Sequence, residues 1–109
     1  MNKLTLIFVF LTSISSWLHA QTTPSSDELF KNARDAAFEE KNYDKARLLA
    51  YEALEKSPAY GDIDVFIGRL FTWEKNFDSA QYHFTKVLNV NPANEDASIA
   101  YADLEYWND

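Results

Sequence analysis

The chain has 109 residues, a formal net charge of −7 and no cysteine. Without thiols it cannot form disulfide bonds, thiolate metal sites or a lipid-modified N-terminal cysteine. The excess of Asp and Glu, 17 against 10 Lys and Arg, argues against nucleic-acid binding, because contacts to phosphates require clustered basic side chains.

Residues 1–20 have the layout of a secretory signal peptide. Lys3 precedes the apolar run Leu4–Leu11, and a Ser-rich stretch then leads to Ala20. An uncleaved anchor is the less favoured alternative, because the run is well short of the roughly 20 residues that span a bilayer. We expect cleavage after Ala20 and export to the periplasm, either free there or associated with the outer membrane. A short linker, residues 21–26, follows.

Two blocks of the remaining chain match at a spacing of 34 residues. "EKNYDKA" at residues 40–46 returns as "EKNFDSA" at residues 74–80, and five of the seven positions are identical. The same spacing pairs Leu54 with Leu88, Pro58 with Pro92 and Trp73 with Trp107. A fixed period of this length indicates a stacked array of helical repeats. We expect complete units at residues 27–60 and 61–94, followed at residues 95–109 by the first helix of an incomplete third unit or by a capping helix.

Each unit is predicted to be a pair of antiparallel helices. In the first unit, Ser25 and Glu28 have the spacing of a capping box, and a turn follows at residues 41–42. The second helix is predicted from about Tyr43 to Lys56. Pro58 ends it, because the residue before a proline avoids helical angles.

The second unit repeats this plan. Its helices are predicted at residues 61–75 and 77–90, and Pro92 ends the second of them. A fifth helix is predicted to start near Asn94, which serves as its N-cap, and to reach Trp107. The sequence therefore predicts an all-α chain built as an α-solenoid of about two and a half repeats.

The fifth helix has no pairing helix in this scheme. We expect its outer side, with Tyr101 and Leu104, to lack cover. A polar cap does not usually end in Tyr106 and Trp107, which favours a missing continuation over a cap.

Small and large apolar residues are predicted to meet where the helices cross. Two antiparallel helices can approach closely only at small side chains, and larger ones fill the space around such contacts. The small residues are Ala46, Ala53, Gly68 and Ala80, and the large ones are Tyr43, Phe71, Phe77 and Phe84.

These residues and their period resemble the tetratricopeptide repeat. The second unit matches that family's pattern at Gly68, Phe71, Phe77, Ala80, Phe84 and Pro92 and departs from it at Val87. The first unit keeps Tyr43, Ala46, Ala53 and Pro58. It departs from the pattern at Arg34, where a small residue belongs, and at Ala50, where an aromatic residue belongs. The resemblance implies a protein-interaction fold in which the first helix of each unit lines the inner curve of the array.

A second resemblance covers most of the exported chain. "DIDVFIGRLFTWEKNFDSA" and "ASIAYADLEYWND" are similar to blocks in the N-terminal repeat region of YaiO-type outer-membrane β-barrel proteins. In that family a periplasmic repeat segment precedes an antiparallel barrel. Here no alternating strand pattern follows the repeats. We expect either a truncated form of such a protein or the repeat part alone.

The resemblance to tetratricopeptide repeats defines a candidate binding groove on the inner curve. Its residues are Lys31, Asp35, Phe38, Val65, Arg69, Thr72, Trp73, Ile99, Asp103, Tyr106 and Trp107. Arg69 and Trp73 lie four residues apart on one helical face and are expected to hold a peptide by carboxylate pairing and by stacking. In the alternative, structural interpretation, Trp73 and Trp107 fill gaps between helices. Arg69 then pairs with Asp103 or Asp35.

The sequence offers no catalytic or metal-binding set of residues. His19 belongs to the leader, and His83 stands alone and is expected on the surface, so no metal cluster or nucleophile–base pair is predicted. Asp96, Asp103 and Glu105 are interpreted as a solvated face and not as a glycosidase pair. We therefore expect a non-catalytic module without cofactor or metal that binds a protein or peptide. The alternative is the periplasmic arm of an outer-membrane transport or export barrel, with envelope glycan machinery as partner.

Overall fold

The computed structural model describes residues 23–109, and this part of the chain is all-helical, as predicted. It contains five helices and no strand. The helices are α1 (Ser26–Phe38), α2 (Tyr43–Lys56), α3 (Gly61–Trp73), α4 (Phe77–Val90) and α5 (Glu95–Asn108). No helix within the described residues is long and apolar enough to cross a bilayer. The predicted signal peptide, residues 1–20, lies outside the described residues.

Four of the five helices begin at a side chain that caps them. Ser25 Oγ accepts a hydrogen bond from the backbone N–H of Glu28 at 3.2 Å, at the site of the predicted capping box. Asn42, Asn76 and Asn94 cap α2, α4 and α5 in the same way, each accepting from the N–H three residues further on. These caps satisfy donors that have no partner inside the helix.

The chain reverses direction after α1 and after α3 through a residue in the left-handed region. These residues are Lys41, with φ 55°, and Lys75, with φ 63°. They lie 34 residues apart, and each occupies the turn just before a capping asparagine. Because the loops 39–42 and 74–76 are short, each helix packs directly against the next one.

The helix boundaries repeat with the period found in the sequence. α2 and α4 start 34 residues apart, as do α3 and α5. The N–H groups of Ser57 and Asn91 each donate to the carbonyl oxygen four residues earlier, at 3.0 and 2.9 Å. Pro58 and Pro92 come next in the chain. The local structure thus has the same 34-residue spacing as the matching blocks.

The central helix is α3. It packs against α2, α4 and α5, and an α1 ring also reaches it, since the ring centroids of Phe30 and Phe66 are 5.5 Å apart. Eight of its 13 residues are buried, as expected for a helix with neighbours on most sides. Two apolar clusters meet on it. Ile63 and Ile67 belong to the cluster shared with α1 and α2, and Val65 to the cluster shared with α4 and α5.

The closest helix contact joins Gly68 of α3 to Phe84 of α4. A Cβ atom built at Gly68 would lie 2.3 Å from Cε1 of Phe84, which is closer than carbon atoms approach in proteins. Only glycine therefore fits at this position. The other small residues of the predicted crossing points, Ala46, Ala53 and Ala80, are fully buried. The aromatic residues around them are the fully buried Phe84 and the half-buried Tyr43, Phe71 and Phe77.

Neighbouring helices cover more of the surface of α5 than the sequence predicted. Leu104 is 4% exposed and belongs to the apolar cluster shared with α3 and α4. Tyr101 is half-buried, and its hydroxyl accepts a hydrogen bond from Gln81 Nε2 at 3.0 Å. The expectation that these two side chains lack cover is wrong, because α5 packs against both α3 and α4.

Candidate binding groove

Aromatic side chains form a row where α1 and α3 meet. The ring centroid of Phe38 lies 5.9 Å from that of Trp73 and 6.3 Å from that of Phe66, both in edge-to-face arrangements. Trp73 also lies 6.0 Å from Tyr43. Phe38 nevertheless remains 52% exposed and Trp73 45% exposed. These two rings are therefore positioned by neighbours while part of their surface faces solvent.

An open cleft of about 240 Å³ continues this row towards α5. It is lined by Thr72, Trp73, Lys75, Phe77 and Trp107. Trp107 is 67% exposed, so neither indole is buried between helices. The cleft presents two tryptophan rings and one ammonium group to a ligand.

Arg69 is paired within the chain. Its Nη1 lies 3.5 Å from Oδ2 of Asp103 on α5, and both side chains are partly exposed. Ion pairs of this kind contribute about 0–1 kcal/mol to stability. Arg69 therefore links α3 to α5, as in the structural alternative, and a ligand carboxylate would have to compete with Asp103 for it.

Two residues expected to face the groove are buried. Val65 is 7% exposed and Thr72 is 8% exposed. The hydroxyl of Thr72 donates to the carbonyl oxygen of Gly68 at 2.9 Å. Val65 therefore packs in the apolar cluster shared with α4 and α5, whereas Thr72, although mostly buried, still lines the cleft beside Trp73.

The remaining groove residues are exposed or partly exposed on α1 and α5. Lys31 and Asp35 pair with each other at 3.0 Å on α1. Ile99 is 49% exposed and Tyr106 76% exposed on α5. The rings of Tyr106 and Trp107 contact each other edge-to-face, with centroids 5.4 Å apart.

The buried polar cluster, formed by Tyr51, Asp64, His83 and Lys86, joins α2, α3 and α4 away from this groove. Its centre, Asp64 and His83, is buried, and its outer members, Tyr51 and Lys86, are partly exposed. His83 Nδ1 lies 3.0 Å from Asp64 Oδ1, and its Nε2 lies 2.9 Å from the hydroxyl of Tyr51. Lys86 Nζ pairs with the second oxygen of Asp64 at 3.2 Å. His83 is only 4% exposed, so the expectation that it lies on the surface is wrong.

The ring of Phe71 stacks on this cluster from α3. Its centroid is 5.9 Å from that of His83, with the two planes inclined by 17°. The guanidinium carbon of Arg47 lies 5.3 Å from the centroid of the same ring. Arg47 also forms ion pairs with Asp44 and Glu74, and the hydrogen bond to Glu74 raises the pKa of Arg47 above its ordinary value. The joint between the two helix pairs thus combines charge, stacking and hydrogen bonds.

The side chains of the buried polar cluster satisfy one another's hydrogen-bonding groups. Burial raises the pKa of the Tyr51 phenol, which works against formation of a nucleophilic phenolate. Every buried side-chain nitrogen or oxygen in residues 23–109 has a hydrogen-bond partner. No group of three side chains suited to hold a metal ion occurs in the same range.

Comparison of the chain with models of protein families, with curated proteins and with solved structures finds no match. The most accessible large apolar surface within the candidate groove belongs to the aromatic side chains of α1, α3 and α5.

Proposed function

We propose that this chain is a non-catalytic protein–protein interaction module of the tetratricopeptide-repeat type, exported to the periplasm, where it serves as a scaffold in an envelope assembly. The 34-residue spacing of the helix boundaries supports a repeat array. The close contact of Gly68 with Phe84 supports the small-against-large packing typical of that family. Export rests on the leader sequence of residues 1–20.

One observation carries the binding role: the exposed tryptophans on both sides of the cleft between α3 and α5. Trp73 and Trp107 are 45% and 67% exposed, although large aromatic residues stabilise a protein most when they are buried. Aromatic side chains also dominate the energetics of protein interfaces. A partner side chain that enters the cleft would bury both indoles at once, so we assign the cleft as the central contact of the groove.

The test is binding by the processed protein with and without Trp73. Trp73→Ala is expected to weaken binding of a partner captured from envelope extract, and then purified, by at least about tenfold, as for an interface hot spot. Leu48→Ala is the matched control, because Leu48 is a large apolar residue on α2 that is 67% exposed outside the groove. Equal affinity of the wild-type and Trp73→Ala proteins, with unchanged helical circular dichroism, contradicts the groove assignment.

The blocks that resemble YaiO-type proteins favour a second candidate, the periplasmic arm of an outer-membrane transport or export barrel. In that role the aromatic groove would contact envelope glycan machinery. The two candidates differ in location and size. Fractionation of cells with an antibody to this region is expected to give a free periplasmic protein for the interaction module. Recovery in the outer-membrane fraction as a longer polypeptide supports the arm.

A further inference from the structure

A second open cleft lies between α2 and α4, outside the candidate groove. It has a volume of about 330 Å³ and is lined by Tyr51, Asp78, Ser79, Tyr82 and His83. Tyr51 is 41% exposed and Tyr82 66% exposed, so both phenol rings are accessible from the cleft. His83 lies beneath them, with its ring centroid 5.7 Å from that of Tyr51 and 5.2 Å from that of Tyr82.

The buried polar cluster fixes the direction of the Tyr51 hydroxyl. The carboxylate of Asp64 can only accept hydrogen bonds, so in neutral His83 the proton is on Nδ1 and points to Asp64. The other nitrogen, Nε2, then accepts, and the Tyr51 O–H donates to it at 2.9 Å. Because this donor is used, the free lone pairs of the Tyr51 oxygen offer the cleft an acceptor and no proton.

The carboxylate that lines the cleft forms no ion pair within residues 23–109. Asp78 is the only Asp, Glu, Lys or Arg among the five lining residues, and it takes part in none of the ion pairs found in residues 23–109. The nearby cations are already paired. Lys86 is held by Asp64 at 3.2 Å, and Arg47 is held by two carboxylates. Burial also raises the pKa of the Tyr51 phenol, which keeps it neutral and hydrogen-bonded to His83.

We propose that this cleft binds a primary ammonium group, presented by a lysine side chain of a partner protein. An ammonium group carries three donors and no acceptor, so it complements Asp78 and the Tyr51 oxygen. The phenol rings of Tyr51 and Tyr82 attract a cation through their faces and offer apolar surface to the lysine stem. The cleft is open, which suits a side chain arriving on a protein surface.

This contact is separate from the groove that carries the proposed function, and it holds even if the groove binds nothing. The direct test is a nuclear magnetic resonance titration of the isotope-labelled processed protein with Nα-acetyl-lysine N-methylamide. Saturable shifts are expected at the amides of Ser79, Tyr82 and their neighbours. The norleucine analogue has a similar aliphatic chain without the charge and is expected to give no saturable shift.

Two substitutions in the cleft and two controls sharpen this test. Asp78→Asn and Tyr51→Phe, which remove the carboxylate and the acceptor oxygen, are each expected to raise the Kd about fivefold. Asp62→Asn removes another exposed first-turn aspartate, and Trp73→Ala alters the groove. Both controls are expected to leave the Kd unchanged.

Three results would overturn the proposal. They are the absence of a saturable shift with the lysine probe, equal shifts with the norleucine analogue, and an Asp78→Asn protein with the wild-type Kd. Asp78 lies outside the buried polar cluster, so its substitution remains informative even where Tyr51→Phe loosens the fold.

Discussion

The absence of a side chain at Gly68 allows α3 and α4 to pack closely. The ring of Phe84 is fully buried and occupies the space that a Cβ at position 68 would need. Gly68→Ala is therefore expected to lower the free energy of unfolding by about 1–3 kcal/mol through overpacking. Alanine gains roughly 1 kcal/mol over glycine as a helix former, so the net loss in unfolding free energy should be up to about 2 kcal/mol. Urea denaturation followed by helical circular dichroism measures the difference.

Gly61→Ala is the matched control for this prediction. A Cβ at Gly61 would lie 3.5 Å from Val87 Cγ1, which is an ordinary van der Waals distance. The control is expected to keep or slightly raise the urea midpoint. If both alanine variants show the same midpoint, the contact with Phe84 does not constrain α3.

Tyr51 makes the stability depend on pH in the alkaline range. Burial raises the pKa of its phenol in the folded protein, while the unfolded chain titrates near the ordinary value of about 10. The folded state therefore holds this proton more tightly. The stabilisation is complete below the unfolded-state value and is lost as the pH rises through the folded-state pKa.

Tyr51→Phe removes this dependence. The fall in unfolding free energy above about pH 10 should be less steep in the variant than in the wild type, as measured by urea titrations at a series of pH values. Between about pH 7 and pH 9 the difference between the two proteins should stay constant, which gives an internal reference. Identical slopes above that range would show that the Tyr51 phenol is not protected by the fold.

His83 illustrates the limit of sequence analysis at this scale. Its position on the buried side could have been predicted, because Ala80 and Val87 lie one helical turn before and after it. The hydrogen-bond partners of His83 could not have been predicted from the sequence. Asp64 is 19 residues away and Tyr51 is 32 residues away, and neither pairing follows from a local pattern.

At the scale of the helices, local signals determine most boundaries. The predicted spans of α2 and α4 are confirmed, because capping asparagines and prolines are local features. α3 ends at Trp73, two residues earlier than predicted, because Lys75 adopts the left-handed conformation. The cover on α5 was not predictable, since it depends on the position of two distant helices.

Lys41, which follows α1 and has a left-handed backbone conformation, gives a prediction about the turn between α1 and α2. A non-glycine residue in this region costs about 1–2 kcal/mol, whereas glycine adopts it freely. Lys41→Gly, at φ 55°, is therefore expected to raise the unfolding free energy by about 1 kcal/mol. Lys45→Gly, inside α2, should lower it by about 0.5–1 kcal/mol. Thermal and urea unfolding of the two glycine variants should thus shift in opposite directions, and a shift in the same direction would contradict the assigned turn.

At the scale of the whole molecule, α3 is the helix that joins the two apolar clusters. This helix belongs to both apolar clusters, whereas α5 belongs to one of them and lies at one edge of the described array. In a repeat array such as the one proposed, each element is stabilised mainly by its neighbours. Native-state hydrogen exchange is therefore expected to show the strongest protection in α3 and weaker protection in α5.

Leu104→Ala tests this distribution of hydrogen-exchange protection directly. It removes a buried side chain of α5, which typically costs about 2–5 kcal/mol. Exchange should accelerate in α5 and remain close to the wild-type rate in α1 and α2. Equal acceleration in all five helices would instead indicate that residues 23–109 open as a single unit.

The buried polar cluster also favours one arrangement of the α1–α2 pair relative to α3 and α4. One period after Tyr51 the chain has Thr85, and one period after Arg47 it has Gln81, so the hydrogen bond and the stack of this joint cannot be rebuilt elsewhere. If the α1–α2 pair docked at the wrong place, His83 Nε2 would lose the Tyr51 hydroxyl, and a buried group left without a partner costs about 1–3 kcal/mol. The hydrogen bond between Tyr51 and His83 therefore favours docking of α2 onto this face of α4 over docking of the α1–α2 pair elsewhere on the chain.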